Sequence, residues 1–316
     1  MKKLEQPIKI STLVTMYLKV HKTIESSTAD LTRRSFWKLQ TTIGDIAIKD
    51  VTYSHAEDFQ AQIIDAGLSK TSANIFVKTI SPVFNWSIKR GLLDKNVFAE
   101  LKKFKITPRK VETFRPDEVA RLLAAADNLW KARILLGLTT MRKGEVLNLT
   151  VKDVDFERRI LFVQNKQETA YTWRFEPKDH ERRMLPLIAP TSTLLADLYE
   201  KLPQGQPYLL LKAERYSYLL RHKDKISDRM KKCPDNNFNR AFRNLCKRAF
   251  VNGNFHQLRA TGLTLLTNQQ DRLALQEVQD IAGHSRIETT SRYLGSRPDV
   301  LTRAGDILNR GVAQFG

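Results

Sequence analysis

The amino-acid sequence predicts a mainly α-helical protein with a small antiparallel β-sheet, divided into an N-terminal helical domain and a mixed α+β C-terminal domain. Three observations support this fold class. Apolar residues recur at helical spacing through most of the chain, strand-like alternation is confined to the middle, and the periodicity breaks around residues 105–113, which contain Pro108. A length of 316 residues also suits two domains of ordinary size.

The first hundred residues show helical patterns and no convincing strand. Ser54 and Glu57 have the spacing of a capping box, Pro82 is expected to kink the longest helix, and Gly91 lies just past the end of that helix. The predicted helices are Ile10–Val20, Leu31–Ile43, Ser54–Ala66, Ser69–Arg90 and Asp94–Phe104.

The rest of the chain mixes helices with a few short strands. Pro116 opens its first helix, and the apolar stretch Ile134–Leu138 is expected to be a buried helix. The predicted strands are Arg158–Val163, Tyr171–Phe175 and Arg182–Leu187. The main helices predicted further on are Asn236–Val251, Gln257–Asn268, Leu273–Ala282, Ile287–Leu294 and a last one from Pro298. We therefore expect domains at residues 1–107 and 116–316, a linker at 108–115 and a final helix at 298–310.

The charge of the chain favours a polyanionic partner. Lys and Arg number 53 against 34 Asp and Glu, which gives a formal net charge of +19. The positive charge is spread along the chain, so a disordered basic tail is disfavoured. Nucleic acid is the partner that such a charge indicates, because lysine and arginine neutralise phosphates and release counterions. A merely solubilising surface, a ribosomal protein and a membrane-surface protein are the alternatives that charge alone leaves open.

The composition indicates in which cellular compartment the protein is expected. No apolar run approaches the roughly 20 residues that a membrane span needs, and no apolar stretch follows the N-terminal lysines as it does in a secretory signal. The two cysteines, Cys233 and Cys246, are too few for a disulfide framework or a four-cysteine zinc site. We expect a reducing, cytoplasmic compartment, and association with the nucleoid whenever the chain is bound to the nucleic acid that its charge indicates.

A set of polar residues in the second domain has the composition of a phosphate-handling site. His256 and Arg259 are three residues apart, so a helix would present both to one anion. His284 follows a glycine that should end a helix, and Tyr293 comes nine residues later. Arg142 lies directly after the predicted buried helix.

This set resembles the motif of the tyrosine recombinase (phage integrase) family. The family pattern is Arg, Lys, His-x-x-Arg, His or Trp, and then Tyr. The matching positions are Arg142, Lys178, His256, Arg259, His284 and Tyr293, with Glu145 at the position of the glutamate that follows the first arginine. Residues 10–104 are similar to the helical core-binding domain of the family, so the resemblance covers nearly the whole chain.

The resemblance implies a role for each of these residues. Tyr293 would attack a DNA phosphate, Arg142 and Arg259 would stabilise the transition state, and Lys178 would protonate the leaving oxygen. His256 would act as a base or proton shuttle, His284 would hydrogen-bond the phosphate, and Glu145 would orient Arg142.

The chemistry is consistent with those roles. A tyrosine hydroxyl with a pKa of about 10 needs a base and a polarised target. Two guanidinium groups can clamp the phosphate oxygens that gain charge. The protein's own cations serve this purpose, so we expect no metal and no cofactor.

Several positions depart from the usual family pattern. Thr140 stands where the family usually has glycine, Met141 where it usually has leucine, and Ala282 where leucine usually precedes Gly-His. Residues 268–271 suggest a slightly longer loop. None of these differences removes a candidate catalytic side chain, but they bear on the local geometry.

Some residues have a simpler interpretation. Lys166 also lies between predicted strands and competes with Lys178, which is preferred for its spacing to Pro186. His21, His55, His180 and His222 are expected at the surface or in packing roles. Among the tryptophans, Trp37, Trp86 and Trp130 are expected in the core, while Trp173 suits either the core or a base-stacking surface.

Three functions are compatible with a basic protein that carries this set of residues. A site-specific recombinase would cleave and rejoin DNA through a covalent 3′-phosphotyrosyl intermediate and a Holliday junction. A type IB topoisomerase would share the chemistry and act as a monomer, but the helical N-terminal domain argues against it. A DNA-binding protein with a decayed site is the third, and the occupied catalytic positions argue against it.

The resemblance also implies how such a recombinase would assemble. It would close two domains around double-stranded DNA like a clamp and work as a homotetramer, a dimer at each site. The helix at 298–310 would dock on a neighbouring protomer. Accessory DNA-bending proteins are a further class of partner that the family allows, and a membrane is not expected. The chain begins almost at the core-binding domain, so we expect no separate arm-binding domain.

Overall fold

The computed structural model describes residues 7–107, 112–178, 182–268, 275–283 and 298–314. The chain divides into two compact units, residues 1–109 and residues 110–316. Helices dominate the described residues and the named strands form one small antiparallel sheet, so the predicted fold class is confirmed. The predicted helix at 287–294 lies outside the described residues, and so do the candidate site residues His284 and Tyr293.

The first unit consists of helices around one apolar core. They are α1 (Ile10–Val20), α2 (Ser26–Ile43), α3 (Tyr53–Asp65), α4 (Lys70–Ile88) and α5 (Val97–Glu100). The core is rich in phenylalanine, with Phe36, Phe59, Phe84 and Phe98 almost completely buried. Aromatic side chains of this size bury enough apolar area to hold short helices together.

Two predictions about the first unit were wrong: the residues of the capping box of α3 and the burial of Trp37. The capping box of α3 uses Thr52 and His55 instead of Ser54 and Glu57, because the helix begins one residue earlier. The Thr52 hydroxyl accepts the His55 N–H at 3.3 Å, and His55 Nδ1 accepts the Thr52 N–H at 3.2 Å. Trp37, expected in the core, is 60% exposed on α2.

The predicted helix Asp94–Phe104 was also wrong in length, since α5 ends at Glu100. The amide of Asn74 explains the difference. Its Nδ2 donates to the Phe104 carbonyl at 2.9 Å, and its Oδ1 accepts the Phe104 N–H at 3.0 Å. Both backbone groups of Phe104 are therefore bound by a side chain from α4, and a tertiary contact replaces the helical hydrogen bonds.

The second unit begins with helices, forms a sheet and returns to helices. The helices before the sheet are α6 (Pro116–Ala124), α7 (Asn128–Leu138) and α8 (Lys143–Leu147). The strands are β1 (Val154–Asp155), β2 (Ile160–Val163) and β3 (Arg183–Pro186). The later helices are α9 (Ala189–Glu200), α10 (Ala213–Arg221), α11 (Asp228–Lys232), α12 (Phe238–Arg248), α13 (Phe255–Asn268), α14 (Leu275–Ala282) and α15 (Pro298–Ala313).

The sheet is antiparallel with the order β1-β2-β3, and Leu161 of β2 pairs with Val154 on one side and Leu185 on the other. The predicted strand Tyr171–Phe175 was wrong. This stretch forms one bridge, between Phe175 and Lys166, and its tryptophan is fully buried. Burial of that side chain gave the stretch an apolar pattern without a place in the sheet.

Helix α7 is the buried centre of the second unit, as the apolar run at 134–138 predicted. It packs closely against α13, because Gly262 lies so near α7 that a Cβ there would come 1.8 Å from the Leu138 carbonyl oxygen. Only glycine allows this approach. The contact brings Arg259, one turn before Gly262, to the end of α7.

Helix α15 packs into the core of its own unit. Its buried side chains are Val300, Ala304, Ile307, Leu308 and Val312. Docking of this helix on a neighbouring protomer stays a prediction. Among the described residues, no helix is long and apolar enough to span a membrane.

The residue Phe250, just after α12, has a strained backbone. Phe250 has φ of +53° and is 89% exposed. The left-handed conformation costs an L-residue about 1–2 kcal/mol, and glycine avoids this cost. We expect Phe250→Gly to raise the free energy of unfolding by about 1 kcal/mol, measured by urea denaturation. Phe250→Ala keeps the Cβ and should change it little; an equal gain in both variants would contradict the backbone explanation.

Candidate active site

Three arginines converge on the carboxyl end of α14. Arg183 Nε donates to the Ile281 carbonyl at 3.1 Å, Arg259 Nη2 donates to the next carbonyl, that of Ala282, and Arg142 Nη2 donates to the Gly283 carbonyl at 2.8 Å. Carbonyls at the end of a helix have no partner within it, and the helix dipole makes this end negative. The three arginines donate hydrogen bonds to these carbonyls and place positive charge at the negative end of the helix. Two of them, Arg142 and Arg259, are candidate catalytic residues.

Arg142 is fixed by the short helix that it precedes. It is the N-cap residue of α8, and its N–H donates to Glu145 Oε2 at 2.7 Å. Its Nη1 donates to Glu145 Oε1 at 3.2 Å. The side chain retains 20% of its exposure, so Arg142 lies at the rim of the buried cluster. The local sequence thus builds a capping box that also orients a guanidinium group.

Glu145 sits between two arginines inside the protein. It is 4% exposed and accepts from Arg183 Nη1 at 3.0 Å and from Nη2 at 2.5 Å, in addition to its bonds with Arg142. Burial by itself raises the pKa of this carboxyl group, but the charge and hydrogen bonds of Arg183, with those of Arg142, outweigh burial and hold the pKa below its usual range. Glu145 is therefore ionised and holds Arg142 and Arg183 together.

Arg183 is a site residue that the motif did not predict. The alternation of the strand could have indicated its burial, because Arg183 and Leu185 share one face of β3 and that face is buried. Strand alternation alone would therefore have placed one of the tandem arginines 182 and 183 inside the protein. An inward arginine requires an acidic partner, and Glu145 is that partner.

Arg259 is held from the end of α7. It is 3% exposed, and its Nη1 donates to the carbonyl of Thr140. Thr140 has φ of +70° and closes α7, with its N–H on the Gly137 carbonyl and the Met141 N–H on the Leu136 carbonyl. This hydrogen-bond pattern is a Schellman motif, which favours glycine at the left-handed position. Thr140 therefore replaces the family's usual glycine at a position where a side chain strains the backbone, and the turn still forms.

His256 lies at the start of α13, next to these cations. Its N–H donates to the side chain of Asn254 at 3.0 Å. Burial lowers the pKa of the imidazole below its ordinary value, and the positive charges of Arg259, Arg142 and Lys178 lower it further. The imidazole is therefore neutral at neutral pH.

The two competing lysines differ in their surroundings. Lys166 Nζ forms an ion pair with Asp153 Oδ2 at 2.8 Å, and both side chains are nearly buried. Lys178 is exposed, and its charge acts on His256. The charge of Lys178 therefore reaches His256, whereas the ammonium of Lys166 is paired with a buried carboxylate.

The remaining members of the predicted set are His284 and Tyr293, which lie outside the described residues. The chain reaches His284 directly from Gly283, whose carbonyl is held by Arg142. In the ranges that the structure describes, no three residues among His, Cys, Asp and Glu group together as metal ligands would.

Comparisons with known proteins give the family of the chain. The model of the phage integrase family matches residues 112–299. The ICEBs1 integrase of Bacillus subtilis is 23% identical over 261 residues, 78% of this chain and 67% of that protein. Tyrosine recombinase XerA of Pyrococcus horikoshii is 26% identical over 247 residues, 77% of this chain and 75% of that protein.

A solved structure shares the fold. A lambda integrase tetramer bound to a Holliday junction matches with a TM-score of 0.64 and 18% identity, over 90% of this chain and 79% of that one. The chain belongs to the phage integrase family, because the family model matches more than half of it. The predicted class, a tyrosine-type site-specific recombinase, is confirmed.

The buried pair of Glu145 and Arg183 should dominate the local stability. Glu145→Gln keeps the shape of the side chain but leaves Arg183 without its counter-charge, and breaking a buried ion pair typically costs about 3–5 kcal/mol. We expect a loss of about 3 kcal/mol at pH 7 by chemical denaturation. Glu214→Gln, at an exposed position on α10, should stay within about 0.5 kcal/mol. If Glu145→Gln were as stable as the parent, the buried ion pair with Arg183 would not stabilise the fold.

The same pair predicts a pH dependence. The folded-state pKa of Glu145 lies below its ordinary 4.5, so its stabilising contribution is complete above that pH and is lost as the pH falls through the folded value. The stability difference between the parent and Glu145→Gln should therefore be constant from neutral pH down to about 5 and shrink below 4.5. Denaturation curves at several pH values check this, and a difference that grew on acidification would have the wrong sign.

Proposed function

We propose that this recombinase cleaves and rejoins DNA through a covalent bond between Tyr293 and a 3′-phosphate. The Tyr293 oxygen forms a bond to phosphorus, and the bond from phosphorus to the 5′ oxygen breaks. The phenolic proton passes to a base, and the leaving 5′ oxygen takes a proton from an acid. The phosphotyrosyl bond conserves the energy of the cleaved bond, so a second 5′ hydroxyl can reverse the reaction without ATP.

The observation that supports this proposal is the meeting of Arg142 and Arg259 at the carboxyl end of α14. A phosphate undergoing attack gains negative charge on its nonbridging oxygens. Fixed guanidinium groups stabilise that charge without having to reorganise during the reaction. The short connection from Gly283 would deliver His284 to the same phosphate.

His256 and Lys178 complete the proton transfers. A neutral imidazole can accept the proton of Tyr293, and the lowered pKa of His256 keeps it neutral. Lys178 is exposed, charged and near His256, so it suits the role of acid toward the 5′ oxygen. Lys166 is less suited, because its ammonium is paired with Asp153 in a nearly buried site.

The proposed partner is double-stranded DNA. The net charge of +19 suits a polyanion, and the helical unit at residues 1–109 is proposed to bind the duplex beside the cleavage site. The chain would work as a dimer at each site and as a tetramer on a Holliday junction, as the tetramer of lambda integrase suggests by analogy. Integration or excision of mobile DNA is the proposed setting, with accessory DNA-bending proteins as further partners and the nucleoid as the place of action.

Covalent capture tests the proposal. The protein is incubated in EDTA with nicked suicide duplexes drawn from the DNA that flanks its own gene. We expect an adduct that resists SDS, and none with Tyr293→Phe, because the variant lacks the nucleophilic oxygen but retains the ring. Duplex binding by Tyr293→Phe, measured by gel shift, should equal that of the parent.

The other outcomes separate the alternatives. Cleavage that EDTA blocks, without an adduct, would indicate a metal-dependent nuclease. Binding without any adduct in the parent would indicate a decayed site. Relaxation of supercoiled plasmids lacking the captured sequence would indicate a type IB topoisomerase.

The lowered pKa of His256 predicts a pH profile. If neutral His256 is the base, single-turnover adduct formation should stay level from pH 8 to about 6.5 and fall below that value as the imidazole becomes protonated. His256→Gln should lower the rate about 100-fold and remove this acid limb. His222→Gln, on the same unit but away from the site, should keep the parent profile. An unchanged acid limb in His256→Gln would show that another group titrates.

A further inference from the structure

The segment between β2 and β3, residues 164–182, carries Lys178 and is anchored to the protein before it reaches that residue. Lys166 and Phe175 exchange backbone hydrogen bonds of 2.8 and 3.1 Å, which close the first part of the segment into a loop. The Phe175 side chain is buried. Only two residues separate Phe175 from Lys178, so the position of the lysine depends on how this loop is held.

Trp173 is the deepest anchor of the loop. Its side chain is fully buried, and its indole ring stacks on Tyr208 with the centroids 4.1 Å apart and the planes 8° apart. The Trp173 backbone N–H donates to the Tyr208 hydroxyl at 3.2 Å. The indole Nε1 donates to Asn148 Oδ1 at 2.9 Å and to the Lys231 carbonyl at 3.1 Å. Trp173 suited either the core or a base-stacking surface by its sequence. The structure places it in the core, because no face of its ring reaches solvent.

Asn148 connects this anchor to the helix that orients Arg142. It is fully buried just after α8, and its Nδ2 donates to the Gly144 carbonyl at 2.9 Å and to the Lys232 carbonyl at 3.2 Å. Gly144 lets the chain at Lys232 approach, since a Cβ there would lie 2.9 Å from the Lys232 carbonyl oxygen. Arg142 is the N-cap residue of this same helix. One buried amide therefore joins α8 to the loop that leads to Lys178.

We propose that the hydrogen bond from Trp173 to Asn148 positions Lys178 relative to Arg142. Both residues act through others and touch no reacting atom, so they are positioning residues. This inference rests on the proposed function, since it requires Lys178 to protonate the 5′ oxygen. A buried pair suits this purpose, because neither partner can exchange its hydrogen bond for one with water.

A substrate with sulfur at the 5′ bridging position tests the inference. A thiolate leaves more readily than an alkoxide, because a thiol (pKa of about 8.5 for the cysteine side chain) is far more acidic than an alcohol, so cleavage no longer needs an acid. The test uses the duplex that Tyr293 captures, made with oxygen or with sulfur at the cleaved position. Trp173→Phe keeps a buried aromatic ring and removes the Nε1 donor. Single-turnover cleavage is measured with both substrates.

We expect Trp173→Phe to cleave the oxygen substrate at least 10-fold more slowly than the parent and the sulfur substrate within twofold of it. Lys178→Ala should show the same pattern with a larger loss on oxygen, about 100-fold or more. Trp130→Phe is the matched control, because Trp130 is a nearly buried tryptophan of the same unit that contacts Phe238 and Phe242 instead of the loop. It should affect both substrates equally.

The failures can be told apart. If sulfur does not rescue Lys178→Ala, Lys178 is not the acid, and both the proposed role and this inference fail. If sulfur rescues Lys178→Ala but Trp173→Phe is slow on both substrates, or normal on both, the positioning role alone is overturned. Thermal unfolding of Trp173→Phe within a few degrees of the parent confirms that the comparison is made on folded protein.

Discussion

Among the residues that the structure describes, the site depends on the hydrogen bonds that arginines donate to the carboxyl end of α14. The carbonyls of Ile281 and Ala282 are among those that a helix leaves without internal partners, and the Gly283 carbonyl follows them directly. Each of the three accepts a hydrogen bond from an arginine: Arg183, Arg259 and Arg142. These arginines come from β3, from α13 and from the start of α8. A planar guanidinium has a fixed direction for each donor, so the helix end also sets the orientation of the arginines.

Gathering arginines in one place is costly unless their charge is balanced. Glu145 supplies part of that balance from the buried side, where it is bonded to Arg142 and Arg183. Burial is the largest cause of the lowered pKa of His256, and the positive charges of Arg259, Arg142 and Lys178 lower it further. Three arginines and one glutamate leave the cluster with a net positive charge, which favours an anion beside it. A phosphate diester is the anion that such a cluster would attract.

The approach of α13 to α7 supplies the other half of the geometry. Gly262 removes the side chain that would collide with α7, and Thr140 adopts a left-handed conformation that turns its carbonyl toward Arg259. The turn shows why a glycine is usual at position 140 and why a threonine there is compatible with the fold. A strained backbone persists where the surroundings define it fully, and here the hydrogen bonds to α7 and the contact with Arg259 of α13 contribute.

Local patterns identified much of this protein. Helix α1 has the predicted bounds, α6 begins at the predicted proline, and the strand ending at Val163 was found, because each depends on residues that are close in the sequence. Where a distant side chain intervened, the local pattern misled. Asn74 ended α5 early, and burial of Trp173 made a loop look like a strand. Arg183 was missed because its partner, Glu145, lies in another element.

The sequence by itself determined the class of the protein and the identity of the candidate site residues, because residue types in a fixed order with short spacings carry that information. Only the tertiary structure decided which groups meet. It paired Lys166 with Asp153, left Lys178 near His256, and brought both arginines of the motif to one helix end. The physical reason is that burial, charge compensation and hydrogen-bond geometry are set between elements that are far apart in the chain, and no local pattern specifies them.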